Sequence, residues 1–569
     1  MLKVRDFLVI ASLSIILFLF FLAFTPYTYA GDFDGHSEQL VFRADKSEHP
    51  DRELLYSRLP SGGYTKSAAV IGAEENNVTK TVVETLKMKR IEFQLYPDIS
   101  GIQGEKTIVF TETVISNADL ETLKAHLSNG GNVIFAIMPD VTNESLREFL
   151  GIKFYDPLYQ AVGFTVYDGI FINGMQHNSD FPFTHAEVEL YSRAKVFANS
   201  YSIAVTDEIE ETPTRIDYPD KSPMIWRVVY EGGDAYVLNT PFMESFAGVG
   251  LLSGILALCY EDIVYPVVGT RTVGLVNFPY IYGEFEALNT RTSFAYTRDI
   301  IWPGLLSMAK NTNLSYTCYT TGNFQGISFG NNEALTTLQF ILDELIRVNH
   351  SELAYNLTNE ARMAQDINYL NNEFPNILVR SLIVPEDSSI FPLRQEVTAI
   401  SEKAKFNGFF WINDYAVSLP VTGTSINLGE GLFTHESYIT AFGYTNHNID
   451  MEPVFLDGGS ANDYMQTLGR KLFELFNDQN YLEPVSAREA AERIKNFLNI
   501  EMAASYSEDR VAVALSSFDK TGKFILRTTK TIDFSSSSGC EIMKINEGAY
   551  LVTAYGGEFE IKFDPVIKE

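Results

Sequence analysis

Groups that could do chemistry gather where strands are expected to stop. The run T-V-G-L-V-N-F-P (272–279) is rich in strand formers and ends on an amide, Asn277. In a parallel β/α barrel the working residues stand on the C-terminal strand ends and the loops that follow. That rule selects Asn277, Asn356, Trp411, Asn413, Asp414, Tyr444, His447 and Asp450. Such a set binds rather than cleaves. Amides and hydroxyls hydrogen-bond to a polar ligand, Phe410, Trp411 and Tyr415 offer faces for stacking, and Asp414 and Asp450 offer carboxylates to a cationic group. Phe410 and Trp411 are chain neighbours facing opposite sides of a strand, so at least one belongs in the core. Metal ligands are sparser. His350, Glu352, His435, His447 and Asp450 share the segment, with His447 and Asp450 the candidates for a metal site. The eight histidines are scattered, and no two stand at i,i+2 or i,i+4 spacing.

Positioning these groups requires the alternation expected over 271–500. Strands are predicted at 272–277, 314–319, 352–356, 377–384, 408–412 and 439–444. Helices are predicted at 298–311, 332–348, 359–372, 393–405, 460–476 and 486–498. Repeated βα units in one run make a barrel or a large open sheet. Upstream, 66–155 repeats the theme with strands at 67–72, 91–96, 107–111 and 132–137 around helices at 78–90 and 118–128, the layout of amidotransferase-like and flavodoxin-like α/β domains. That segment has no cysteine nucleophile and no phosphate-binding glycine loop, so it reads as a structural or docking domain. Residues 156–244 are β-rich, with a hairpin at Gly232-Gly233-Asp234. The apolar run 245–259 is short for a membrane span and reads as a buried helix. Residues 505–569 alternate as a small β-sandwich. The resulting division is 1–30 signal segment, 31–65 polar tether, 66–155 α/β domain, 156–244 β-rich extension, 245–504 barrel and 505–569 β domain.

Three stretches carry a resemblance. Val276-Asn277-Phe278-Pro279, Asn349-His350-Ser351-Glu352-Leu353-Ala354-Tyr355-Asn356 and Gly443-Tyr444-Thr445-Asn446-His447-Asn448-Ile449-Asp450 resemble the D-D-F-P, G-H-E-[IL]-[AG]-x-H and S-H-x-x-H-P-D-D motifs of exported proteins found with Pel-type exopolysaccharide genes. The catalytic part of that family belongs with the NodB-type polysaccharide deacetylases. The resemblance implies a deacetylase-like barrel behind an amidotransferase-like front domain. It also implies that the base and the metal-binding aspartate have become Val276 and Asn277, and two histidines Asn356 and Tyr444. De-N-acetylation of this kind needs a divalent ion held by an aspartate and two imidazoles, which ionises water and polarises the amide. With these positions neutral, the resemblance implies a degenerate site without cofactor. The alternative is an active metal-dependent de-N-acetylase, or a glycoside hydrolase, with rearranged residues and zinc or another divalent ion.

Composition narrows the partners. The formal charge is -30, from 43 Lys+Arg against 73 Asp+Glu, which works against nucleic acid. It suits a partly deacetylated, cationic amino-sugar polymer. Cys259, Cys318 and Cys540 are too few and too far apart for a disulfide framework and read as small hydrophobes. Lys3 and Arg5 precede an uncharged run, 7–25, long enough to span a bilayer, with a weak cleavage signal at Thr28-Tyr29-Ala30. The expectation is an extracytoplasmic protein anchored by that segment, or secreted if it is cleaved. It would bind an amino-sugar exopolysaccharide and work with the membrane components of a synthesis or secretion complex.

Overall fold

The computed structural model describes residues 50–565 apart from 61–63, 203–220, 280–292, 322–331, 348–350, 358–366, 369–373, 375–377, 385–396, 403–407, 425–428, 457–460, 518–520 and positions 103, 168 and 175. Strands β1 (Ser67–Ile71), β2 (Glu92–Tyr96), β3 (Thr107–Phe110) and β4 (Asn132–Phe135) form a parallel sheet in the order 2-1-3-4. The intervening helices are fixed at their starts by side chains. Asn76 caps helix Asn77–Met88, and Ser116 with Asp119 closes a capping box on Asn117–Ser128.

The sheet does not stop there. β5 (Ile152–Ala161) and β8 (Phe183–Leu190) form a separate two-stranded ribbon. β6 (Gly163–Val166), β7 (His177–Ser179), β9 (Ala194–Tyr201), β10 (Lys221–Val229) and β11 (Asp234–Leu238) extend the first sheet to nine strands. The 156–244 region therefore shares a sheet with the segment before it. The hairpin expected at Gly232-Gly233-Asp234 joins β10 to β11. Helix Val249–Tyr260 is buried, as its all-round apolar sequence requires. A Cβ on Gly250 would meet the Ser437 backbone at 2.4 Å, and one on Gly254 the Ile170 carbonyl at 2.5 Å.

The second sheet is parallel and curled. β13 (Thr270–Val276), β14 (Tyr316–Thr321), β15 (Glu352–Asn356), β16 (Ser381–Val384), β17 (Ala399–Glu402) and β18 (Val417–Leu419) pair in sequence, and β19 (Tyr444–Asp450) returns beside β13. The continuation of β18 then reaches β19. Thr422 N–H donates to the Asn446 carbonyl and Asn448 N–H to the Gly423 carbonyl, each at 2.8 Å. Val276, Tyr319, Ala354, Ile383 and Tyr444 face inward, while Val273, Leu275, Leu353 and Ile449 pack outward on the helices. Arg271, 1 % exposed, holds the helix layer in place. Its guanidinium donates to the carbonyls of Thr312, Asn313 and Phe476, at or just beyond the C-termini of helices Trp302–Thr312 and Ala461–Phe476.

Two expectations here are corrected. The stretch expected as strand 439–444 ends the helix Gly429–Phe442, whose β-branched and aromatic residues are ones a strand also favours. Gly443 terminates it at φ +56°, its N–H bonding the Ile439 carbonyl. Within the helix expected at 393–405, residues 399–402 are the strand β17, and most of the helix expected at 359–372 lies outside the described residues.

The remaining strands are β12 (Ile263–Val267), β20 (Glu483–Pro484, beside β13), β21 (Glu501–Tyr506), β22 (Arg510–Ser516), β23 (Gly522–Arg527), β24 (Ile532–Ser538), β25 (Cys540–Asn546), β26 (Ala549–Ala554) and β27 (Glu558–Phe563). They build two antiparallel four-stranded sheets, 12-23-26-25 and 21-22-27-24, around a shared cluster containing Val264, Phe524, Val552, Val513 and Ile561. Part of the presumed tether is built into the body. Helix Pro50–Ser57 buries Leu55 against Ala503 and Ala514, and Tyr64 bridges Tyr506. Cys259 and Cys318 are buried, Cys540 only partly. Among the described residues no helix is long and apolar enough to cross a membrane, and the 7–25 segment lies outside them.

Glu436, on the helix Gly429–Phe442, is buried where three segments meet. Its Oε2 accepts from Asn173 Nδ2 at 2.7 Å, and Tyr481 O–H donates to Asn173 Oδ1. Burial, eased by the Asn173 bond and reinforced by Asp478, pushes its carboxyl up to about 7. A raised carboxyl costs stability as pH rises from the unfolded value through the folded one, here from about 4.5 to about 7 and by on the order of 3 kcal/mol. His177 and His185, pushed down to about 4 by burial, act in the opposite sense, losing stability as pH falls through that value. The difference between wild type and Glu436→Gln isolates the carboxyl. Thermal unfolding should show the variant gaining several degrees on wild type between pH 5 and pH 8.

Candidate functional site

Asn277 leaves β13 at φ +58°, a left-handed conformation that Asn tolerates better than most residues. The next residue holds it there. Phe278, fully buried, stacks on Trp302 with ring centres 5.9 Å apart, and its N–H reaches the Tyr319 carbonyl at 3.3 Å. Asn277 Nδ2 donates to Asp450 Oδ1 at 2.8 Å, and Asn356 Nδ2 donates to Asn277 Oδ1 at 2.7 Å. The carboxylate only accepts, which fixes the orientation of the Asn277 amide and makes its oxygen the acceptor for Asn356. Three strand ends, β15, β13 and β19, are thus joined by one chain of side-chain hydrogen bonds. Asp450 Oδ1 also accepts Glu452 N–H at 3.0 Å, and Tyr464 O–H donates to the Asp450 carbonyl at 3.1 Å. Burial, then the Asp450 charge, pushes the Tyr464 phenol up to about 12.

Below this rim the barrel interior is polar. Asn446 Nδ2 donates to Ser401 Oγ at 3.1 Å, and its Oδ1 accepts Thr272 O–H at 2.9 Å. Asn448 lies between them and the rim, 3 % exposed, and neither polar atom of its amide has a partner in the structure. Gly274 makes its space, since a Cβ there would stand 2.0 Å from Asn448 Oδ1 and 2.8 Å from the Tyr319 ring. Gly274→Ala should therefore displace the Asn448 amide, lowering the unfolding midpoint by the equivalent of about 1–3 kcal/mol. A change under 0.5 kcal/mol, read by denaturant unfolding, would show that the amide has room to move.

The sequence reading did not single out Asn448. A signal was present: Asn446, Asn448 and Asp450 alternate with His447 and Ile449, the period-two pattern of a strand with a polar inner face.

The other expected residues stand elsewhere. Val276 is buried in the interior beside Asp450 in the β13–β19 register. Residues 410–412 turn back antiparallel on 416–418, so the parallel strand begins at Val417 and not at 408. Trp411 and Asp414 consequently sit at the N-terminal end of the sheet, across from Asn277; Trp411 is half-buried, Asp414 exposed, and Phe409 rather than Phe410 enters the core. Tyr444 begins β19 instead of ending a strand, and its hydroxyl donates to the Pro420 carbonyl at 3.1 Å inside the barrel. His447 and Asp450 are three apart on a strand and so face opposite sides. His447 points into the helix layer, its ring 6.4 Å from that of His435, whose Nε2 accepts from Gln479. Glu352 starts β15, at the far end from the rim, accepting from Ser381 and the Arg488 N–H, and burial pushes its carboxyl up. His350 lies outside the described residues. Among the described residues no three His, Cys, Asp or Glu side chains stand close enough to hold one metal ion.

No protein-family model matches the chain, and no curated protein does. Among solved structures it is similar in course to Agd3, described as a novel carbohydrate deacetylase, with 8% identity over 88% of this chain and 98% of that one at a TM-score of 0.48. It is also similar to a protein from Parabacteroides distasonis described as a glycoside hydrolase/deacetylase (12% identity, 46% of this chain, 82% of the other, TM-score 0.27). A third likeness is to alpha-L-fucosidase isoenzyme 2 from Paenibacillus thiaminolyticus (13% identity, 36% of each chain, TM-score 0.25). At these identities and TM-scores no residue role passes from those proteins to this chain.

Proposed function

We propose that the protein is a carbohydrate-binding component built on a deacetylase-like barrel with a degenerate site. In this reading it works outside the cytoplasm, held to the membrane by its N-terminal segment, with other components that make or secrete an amino-sugar exopolysaccharide of Pel type. The observation that carries the reading is the chain from Asn356 through Asn277 to Asp450. At the position where the resemblance places a metal-binding aspartate, the side chain must donate to one neighbour and accept from the other. An amide does both, and an ionised carboxylate does not. Val276, at the position of the base, has no group that takes a proton. A rim of fixed amides and a carboxylate above a polar interior suits hydrogen bonding to sugar.

The test uses the full-length protein, incubated with zinc, nickel and cobalt for metal analysis and assayed for amine release from acetylated hexosamine oligomers. In parallel, amino-sugar oligomers are titrated calorimetrically. Saturable binding that is weakened in Asn356→Ala, without amine release, is the expected result. One stoichiometric ion lost in His447→Ala, together with released amine, would overturn the reading in favour of a metal-dependent de-N-acetylase.

A further inference from the structure

We infer that the barrel mouth selects the free-amine form of an amino sugar, a protonated hexosamine, over the N-acetylated form. The inference rests on the carbohydrate-binding reading above and names its ligand. Asp450 is exposed, and the side-chain bonds it makes come from two neutral donors, the Asn277 amide and the Glu452 N–H, both to Oδ1. Oδ2 accepts no bond from the described residues, and no Lys or Arg among them is paired to the carboxylate. An exposed carboxylate alone would signify little. The second observation is Asn448, on the same inner face one alternation below, almost wholly buried and with both amide atoms unpartnered. Leaving such a group unpaired costs about 1–3 kcal/mol, and the space for it exists because position 274 is glycine. Together they present a negative charge above a neutral donor and acceptor.

An ammonium on a sugar ring meets that pattern, making a charge-assisted bond to Oδ2 while a neighbouring hydroxyl turns towards Asn448. An acetamido group is neutral and gains nothing from the charge. The net charge of -30 favours approach of the same ligand. The reaction that supplies it is hydrolysis of an N-acetyl group, in which water splits the amide into amine and acetate. This chain therefore acts after a deacetylating enzyme on the same polymer.

The experiment titrates the full-length chain with a glucosamine tetramer and with its fully N-acetylated counterpart, at pH 6 and at pH 9, where the amine loses its proton. The amine form should bind roughly tenfold or more tightly at pH 6. That preference should vanish at pH 9 and in Asp450→Asn, which still accepts from Asn277, while Asn448→Ala weakens both forms. Equal affinity for the two tetramers, or a preference that survives in Asp450→Asn, overturns the inference and leaves the carbohydrate-binding reading standing. Binding of neither tetramer overturns both.

Discussion

Asn277→Gly should lower affinity for amino-sugar oligomers by roughly 10- to 100-fold while moving the unfolding midpoint little. The size follows from two hydrogen bonds, one to a charged group worth about 1.5–3 kcal/mol, that set the rim. Asn356 and Asp450 lose their shared partner, and the three strand ends are no longer tied. Glycine is chosen because φ is +58° at this position, where it costs no steric strain. Asn277→Val removes the same amide but places a β-branched residue in the left-handed region, so it should lose affinity and stability together. Calorimetric titration set beside thermal unfolding separates the two effects. If Asn277→Gly bound as wild type does, the amide chain would be a structural tie and the binding surface would lie elsewhere.

Arg271→Met should be the most destabilising of these substitutions, by about 3–5 kcal/mol, from the three buried carbonyls it leaves without their donor. The guanidinium is buried with no carboxylate partner among the described residues, and burial pushes it down to about 10, so it remains charged at neutral pH. Its bonds run to three carbonyls, of Thr312, Asn313 and Phe476. Methionine fills much of the volume and leaves all three without that donor, each at about 1–3 kcal/mol. Arg271→Lys, whose single ammonium lacks the planar fork, should recover only part of the loss. Denaturant unfolding checks both variants. A cost below about 1 kcal/mol for Arg271→Met would mean that water replaces the guanidinium. Because Arg271 lies near the start of β13 and Asn277 just past its end, ligand affinity below the unfolding transition should be unchanged.

The strand ends that the sequence placed well are those where a β-run meets a local stop. Asn356 ends β15 as expected, and Asn277 directly follows β13, closed by Phe278-Pro279. Asp450 also stands at a strand end, but the strand expected to supply it, 439–444, is helix. The helix was hidden because Tyr438, Ile439 and Thr440 are favoured in strands, and a buried helix can carry them when its neighbours pack closely. Trp411 and Asp414 were misplaced for another reason. An antiparallel turn and a βα loop have the same turn-rich composition, and only the long-range partner, here Val417, tells them apart. His447 is a metal-ligand type, but the odd spacing from Asp450 along the strand turns it away from the rim.

β12 and β13 are separated by two residues yet belong to different sheets, and β12 finds its partner in β23, on the far side of the barrel in the chain. A ribosome makes β12 long before Gly522–Arg527 exists. On emerging, the chain therefore carries a strand of five buried positions with an unmatched edge, which must be shielded until the last tenth of the polypeptide arrives. The barrel is enclosed between the two halves of a sheet it does not belong to. Any truncation before residue 522 keeps β12 but leaves it without the strand it pairs with.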